Sequence, residues 1–322
     1  MPRNPDYNSI PAFHAKLARS RRILAVCGAG LSASSGLPTF RGAGGLWRNY
    51  EATALASPKA FKKDPGLVWM FYAYRRHMAL KAKPNAGHYA LAELARNNPE
   101  FLCLSQNVDN LHIRANHPPS QLRLLHGSLF TLKCSSPTCS HTEPENLNSP
   151  LCPALAAAAV DAPPPSSASA SAPTEIHHHP LLDTANPLPT IPPASLPPAS
   201  LPPASLPHCP RCTPPCSARA CDMLAGVDEW IRRGRVDVVL VVGTSSLVWP
   251  AAGIAEAARG DSKRGKTSVV PVNVDAESPE GLVRLVEGEE DFAFGGDAAE
   301  VLPRLLEPVI GRWDMERGVF LK

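Results

Sequence analysis

Residues with the means to do chemistry fall in four clusters along the chain. The first is Gly28-Ala29-Gly30 with Ser32, directly after the apolar run Ile23 to Val26. A strand, a tight turn and a helix opening at Ser32 and Ala33 fit the G-x-G-x-x-G/A pattern, in which glycines let backbone amides approach a pyrophosphate. Such turns also arise for packing alone. The second is His126, after the apolar pair Leu124-Leu125. Histidine can exchange a proton near neutral pH, although one in such a position is usually structural. The third is a pair of cysteine pairs, Cys134 and Cys139 (C-x4-C) with Cys209 and Cys212 (C-x2-C). Two thiolate pairs far apart in sequence read as a tetrahedral structural zinc site, which can contribute ~10–16 kcal/mol to the ordering of a small module. Cys216 or Cys221 could replace Cys209 or Cys212 as a ligand, whereas Cys152 is read as outside the site. The fourth is Phe71-Tyr72-Ala73-Tyr74-Arg75-Arg76. Tyr72 and Arg75, three apart, share one face of a helix, and a guanidinium fork with a phenol can clasp a carboxylate. The alternative is an amphipathic helix with surface arginines.

The elements that must position these groups alternate along the chain. Short apolar strands are predicted at 23–27, 101–105, 236–242 and 267–274, and helices at 66–82, 86–97, 222–234, 251–259 and 297–309. Continuous β-branched runs indicate strands buried on both faces, hence a parallel sheet. The fold class is α/β, a Rossmann-like doubly wound parallel sheet with a small zinc-binding module. Each strand ends in small or polar residues: Gly28-Ala29-Gly30, Gln106-Asn107-Val108-Asp109, Gly243-Thr244-Ser245-Ser246 and Asn273. In open α/β sheets the ligand lies beyond such carboxyl ends.

Proline marks the boundaries. Half of the 36 prolines fall between Pro153 and Pro215, where Leu-Pro-Pro-Ala-Ser occurs at 196–200 and again at 201–205. Such a tract forms neither helix nor central strand and has little to bury, so 153–207 reads as a disordered insert, and deleting about 155–205 should leave zinc content and stability nearly unchanged. His177, His178 and His179 lie inside it as a solvated polar tract. The expected domains are 1–126, the first part of the nucleotide-binding domain including the helices around Ala56, Tyr72 and Arg75; 127–221, the zinc module with the insert; and 222–322, the second part. Cys27 and Cys103 read as small core residues, and His112 and His117 as loop or surface residues.

Bulk properties narrow the function. A net charge of +3 over 322 residues argues for neither nucleic acid nor membrane as partner. No run of 18 apolar residues exists to span a bilayer. Nine cysteines without secretory context suit thiols or metal ligation better than disulfides. Residues 1–22 lack the apolar core of a secretory signal, while Asp6 and few serines weaken a mitochondrial presequence.

The extension of the first cluster through Gly36-Leu37-Pro38-Thr39-Phe40-Arg41-Gly42 completes GAGxSxxSGxPxFRG, the signature that identifies the chain as similar to the sirtuins. The resemblance covers roughly 15–152 and 206–310. It implies an NAD-dependent protein-lysine deacylase, with NAD and Zn2+ as cofactors and acylated lysine side chains of proteins as partners; a monomer is expected. Mitochondria are the compartment the family suggests, with cytoplasm or nucleus open. By the same resemblance, Gly28, Ala29, Gly30, Ser32, Gly243, Thr244, Ser245 and Asn273 contact NAD. Thr39, Phe40, Arg41 and Trp47 belong to the cofactor-loop region, and Gln106, Asn107, Val108 and Asp109 line the nicotinamide pocket. His126 matches the histidine that deprotonates a ribose hydroxyl, and the cysteines sit where sirtuins carry a zinc ribbon. Ala56, Tyr72 and Arg75 match the acyl pocket of the class III branch, which removes succinyl, malonyl and glutaryl groups.

Two other readings compete. An NAD-dependent dehydrogenase would need an acidic residue ending a second strand about 20 residues after the glycines, and Glu51 reads as lying outside a strand. A non-catalytic NAD-binding protein is suggested by one departure. Sirtuins carry a strand and loop resembling LRPxVVWFGE after the zinc cysteines, supplying part of the substrate cleft and of the central sheet. Here Cys221 runs directly into Asp222-Met223-Leu224-Ala225. The expectation is an intact NAD site with weak or no turnover, restored by inserting about 15 residues of the family type at that point.

Overall fold

The computed structural model describes residues 4–39, 46–47, 50–158, 201–212, 218–219, 230–231, 234–244, 251–259, 267–276 and 286–321. Phe40, Arg41, Ser245, Cys216, Cys221, the three histidines at 177–179, most of the helix expected at 222–234, and the join at 221–222 lie outside them.

Six strands, β1 (Ile23–Cys27), β2 (Phe101–Ser105), β3 (Leu122–Leu124), β4 (Val238–Val242), β5 (Ser268–Asn273) and β6 (Phe294–Gly295), form one parallel sheet in the order β6-β5-β4-β1-β2-β3. Along β1, Ile23, Ala25 and Cys27 face one apolar cluster while Leu24 and Val26 face another. Strand periodicity therefore sorts an unbroken apolar run onto two buried faces, as a doubly wound sheet requires. Helices α1 (Ile10–Ala18), α3 (Ala86–Asn97) and α5 (Ala298–Ile310) supply the first cluster, and α4 (Ala251–Arg259) contributes to the second. Asn85 caps α3 by accepting from the amides of Gly87 and His88, and Asp297 caps α5. No helix among the described residues is long and apolar enough to cross a membrane. Among the described residues, the six strands follow one another in the sheet without a gap.

Two compact units divide the chain otherwise than at the expected boundaries. The first comprises 1–37, 82–128 and 221–322, and the second 38–81 with 129–220. Segment 38–81, assigned from sequence to the nucleotide-binding domain, thus clusters with the cysteine-bearing segment. Its principal helix, α2 (Pro65–Lys81), explains this grouping. Arg76 is 2 % exposed and donates to the carbonyls of Leu129, Asn146 (2.7 Å) and Asn148 (2.8 Å), all within the second unit. Glu51 does lie in a strand, contrary to the sequence reading, but in a two-residue antiparallel hairpin with Leu46–Trp47 rather than in the parallel sheet.

The ends of the proline-rich insert are also packed, contrary to their reading as disordered. Pro153–Ala158 forms a 3-10 helix with Leu155 and Ala158 buried, and Leu206 is buried beside the α2 residues Leu67, Met70 and Phe71. A Cβ on Gly66 would stand 2.8 Å from the Leu201 backbone nitrogen, so backbone meets backbone there. Leucines and alanines flanking the prolines supply apolar anchors that a proline count overlooks. Deleting 155–206 is therefore expected to lower the stability of the second unit by ~3–6 kcal/mol, the scale of two to three buried aliphatic side chains. Replacing only 159–200 by a short Gly/Ser linker should change it little. Urea unfolding of both deletions checks this. Equal stability of the 155–206 deletion and the parent chain would contradict the anchoring.

Candidate functional site

The carboxyl ends of β1, β2, β3, β4 and β5 carry the polar residues singled out from sequence. The strand order reverses between β1 and β4, the position at which doubly wound sheets open a crevice for dinucleotides. There the two turns interlock. The Gly28 amide donates to Val242 O (2.9 Å) and the Gly30 amide to Gly243 O (2.7 Å). Gly243 has φ +57°, and a Cβ on it would fall 2.2 Å from the Leu31 nitrogen. A Cβ on Gly30 would fall 2.7 Å from the Gly243 Cα. These glycines are thus required by the approach of one turn to the other, a reason that the motif alone does not reveal. After Gly28 the chain forms a 3-10 helix, Ala29–Ser35, which begins three residues before the expected opening at Ser32 and is closed by Gly36 in the left-handed region.

A buried polar cluster lies beneath this turn. Ser32 donates its hydroxyl hydrogen to Asp109 Oδ2 (2.7 Å), and the Asn107 amide donates to Ser32 Oγ (3.1 Å) and Gly28 O (3.0 Å). With both amide hydrogens committed, the Asn107 carboxamide can meet a ligand only through its oxygen. Asp109 Oδ1 accepts from the Leu111 amide (2.9 Å), opening the short helix Leu111–Arg114. Val108, between Asn107 and Asp109 in the chain, is half-buried. Gln106 bridges the ends of β2 and β4 through Thr244 Oγ1 (2.9 Å). At the end of β5, Asn273 Oδ1 accepts from the Val274 amide (2.9 Å). The amides, hydroxyls and carboxylate gathered at one sheet edge are the donor and acceptor set that a dinucleotide's phosphates and riboses need.

His126 follows β3 and is half-buried. Its Nδ1 lies 2.9 Å from the Gln106 carbonyl. A carbonyl only accepts, so Nδ1 carries the hydrogen and Nε2 the lone pair. The imidazole is thereby oriented with a basic nitrogen available to a ligand hydroxyl.

His112 and His117, read from sequence as loop or surface residues, are both buried, His112 on the short helix Leu111–Arg114 and His117 in the loop after it, and together with His88 they form a run of rings with centroids 5.2 and 5.8 Å apart. Burial lowers His88 to about 3 and His117 to about 4; burial, then the neighbouring histidines, hold His112 well below its ordinary value. His88 Nε2 stands 3.4 Å from Ser32 Oγ. Sequence reasoning missed this supporting residue; the available signal was the Pro84-Asn85 helix start, which places His88 at the third helical position.

In the second unit the four cysteines converge. Cys134, Cys139, Cys209 and Cys212 have their sulfurs within 4.8 Å of one another, with Cys134 and Cys212 3.6 Å apart and Cys139 and Cys209 3.9 Å apart. Those separations suit thiolates at about 2.3 Å from a shared zinc. Burial raises the Cys209 thiol, but the Arg211 amide and then the three neighbouring cysteines outweigh it and bring it down to about 7. The set fits Zn2+ despite the C-x4-C spacing. Cys152 lies apart from it and donates to Ser205 O (3.2 Å).

The expected helix at 66–82 is α2, and Tyr72 and Arg75 are half-buried on it. The Arg75 guanidinium lies 5.8 Å from the Phe71 ring centre, and Tyr72 meets the same ring edge-on at 5.1 Å. Ala56 is exposed at the end of the helix Ala52–Leu55. Thr39 and Trp47 belong to the second unit, where Trp47 is buried edge-on against Phe71 at 5.6 Å.

Comparison with known proteins gives a coherent result. The model of the Sir2 family matches residues 28–159. A protein of Candida albicans named NAD-dependent protein deacylase is 38% identical over 314 residues, spanning 93% of this chain and 97% of its own length. The Danio rerio protein named NAD-dependent protein deacylase sirtuin-5, mitochondrial, is 36% identical over 266 residues, 76% of this chain and 72% of that one. Among solved structures, a Sir2 homologue in complex with NAD aligns with TM-score 0.64 and 28% identity, covering 93% of both chains.

Proposed function

The chain belongs to the Sir2 family, and on that premise we propose that it is an NAD-dependent protein deacylase acting on lysines that carry acidic acyl groups, succinyl, malonyl or glutaryl. The observation that supports this most is the reversal of strand order between β1 and β4, with Ser32, Asn107 and Asp109 hydrogen-bonded beneath the glycine turn and His126 at the neighbouring strand end. NAD supplies a ribose carbon from which nicotinamide can leave as the acyl oxygen attacks. Gly28, Ala29, Gly30, Ser32, Gly243, Thr244, Ser245 and Asn273 hold the dinucleotide, with Thr39, Phe40, Arg41 and Trp47 in the cofactor-loop region. Gln106, Asn107, Val108 and Asp109 surround the nicotinamide end, Asn107 through its oxygen. His126 Nε2 takes the proton of a ribose hydroxyl, which then receives the acyl group. One water is consumed as the lysine amine leaves, and the products are free lysine, nicotinamide and O-acyl-ADP-ribose. Cys134, Cys139, Cys209 and Cys212 hold a structural Zn2+.

Selectivity for an acidic acyl group rests on Tyr72 and Arg75, with Ala56 leaving room for the longer chain. The neighbouring Arg76 is committed to three carbonyls of its own unit, which sets it apart from the substrate carboxylate. Succinyl- or malonyl-lysine peptides are expected to release nicotinamide faster than acetyl-lysine peptides. Arg75→Met should cost the acidic substrates ~1.5–3 kcal/mol, or roughly 10- to 150-fold in kcat/KM, and leave acetyl turnover nearly unchanged. Equal losses on both substrates would sink the acyl assignment.

A second reading, an NAD-binding protein with weak or no turnover, is favoured by the direct run from Cys221 into Asp222. In sirtuins the segment missing there offers an edge along which the substrate peptide pairs as an added strand. NAD binding without nicotinamide release, with release restored by the family-type insertion, would select this reading.

A further inference from the structure

The described residues contain a second group of metal-ligating atoms, separate from the four cysteines of the second unit. Cys27 at the end of β1, Cys103 within β2 and His112 on the helix Leu111–Arg114 bring two sulfurs and a ring nitrogen within 4.8 Å of one another. All three are essentially without solvent exposure. Cys27 and Cys103 belong to the same face of the sheet, the one covered by α1, α3 and α5.

Two observations favour an ion over simple core packing, and a third argues against a disulfide. The first is the imidazole. Both ring nitrogens of His112 are buried without a hydrogen-bond partner among the described residues, and a buried polar group left so costs ~1–3 kcal/mol. The second is spacing. Cys27 and Cys103 sulfurs are 3.8 Å apart, the separation of two thiolates that each lie about 2.3 Å from one zinc.

The third is the backbone, which disfavours the other use of paired cysteines. Ala25, not Cys27, is the cross-strand neighbour of Cys103. The two cysteines therefore sit two residues out of register, and strand spacing and rise place their Cα atoms roughly 8 Å apart. That exceeds the span of a disulfide, about 4.4–6.8 Å. Their sulfurs can share an ion without the backbone movement a disulfide would need.

We propose that Cys27, Cys103 and His112 form a second, buried Zn2+ site in the nucleotide-binding unit. Binding releases the two thiol protons, and two thiolates with a neutral imidazole leave no net charge in the apolar interior. Two cysteines and one histidine form a known zinc donor set whose fourth position falls to a water. The site is joined to the nucleotide turns, since Cys27 directly precedes Gly28 and its carbonyl accepts from the Gln106 amide (2.9 Å). An ion there would fasten the carboxyl end of β1 to the middle of β2.

The full chain, incubated with Zn2+ and freed of excess metal, is expected to hold about two zinc ions by elemental analysis. Cys27→Ala and Cys103→Ala should each hold one fewer. Should both variants fail to fold, 113Cd NMR of the cadmium-loaded parent chain decides. Two resonances are expected, one from an all-sulfur site and one shifted toward mixed sulfur and nitrogen ligation. A single all-sulfur resonance with one ion per chain would overturn the proposal. So would a second ion lost on replacing His177, His178 and His179 by serine, which would place it in the histidine tract.

Discussion

His126→Gln is expected to lower nicotinamide release from an acyl-lysine peptide by ~10²- to 10⁴-fold, the usual contribution of a positioned general base. The Nδ1–H bond to the Gln106 carbonyl fixes which nitrogen is basic. Glutamine retains a polar side chain of similar reach but no basic nitrogen, so the proton transfer is lost. NAD affinity should stay within a few-fold of the parent value, because Gly28, Gly30, Ser32, Asn107 and Gly243 make their mutual contacts without His126. Isothermal titration for binding and a nicotinamide assay for turnover separate the two effects. The comparison is made in the 322-residue chain and in the form with the family-type segment inserted between Cys221 and Asp222. Unchanged turnover of the variant in an active form would remove His126 from the reaction.

The second large effect is on stability. Arg76→Met should destabilise the second unit by ~3–5 kcal/mol, because a buried charged donor leaves several carbonyls unpaired when removed. The guanidinium bonds Leu129, Asn146 and Asn148 and lies 5.1 Å from the Phe130 ring centre. Burial lowers it to about 10, which keeps it charged at neutral pH. Methionine fills much of the volume but donates nothing. Arg76→Lys should recover only part of the loss, since an ammonium does not reproduce a fork aimed at separated acceptors. Arg75→Met, one residue away, should cost under about 1 kcal/mol. Urea unfolding followed through the second unit's tryptophans gives the comparison. Similar small losses at both arginines would contradict the structural role assigned to Arg76.

The contrast between Arg75 and Arg76 shows where sequence reading stops. Helical spacing puts Tyr72 and Arg75 on one face, and that much is local geometry. Nothing local states that the adjacent guanidinium meets carbonyls more than fifty residues away. The histidines behave likewise. The burial of His112 and His117 depends on how the helix after β2 settles on α3, a contact between segments that carry no shared periodicity.

What the sequence determined by itself was whatever depends on neighbours along the chain. Continuous apolar, β-branched runs declared β1, β2, β4 and β5 as strands of a parallel sheet, although β3 and β6 were too short to be read. The endings of the recognised strands marked the ligand edge, and cysteine spacing marked the zinc set. Tertiary structure alone decided the rest. It grouped 38–81 with 129–220, anchored the insert at Leu155 and Leu206, and set the tautomer of His126 through the Gln106 carbonyl. It also turned the sulfurs of Cys27 and Cys103 toward His112. Each of these outcomes follows from where a distant segment comes to rest, because desolvation and hydrogen bonding act between atoms close in space however far apart they lie along the chain.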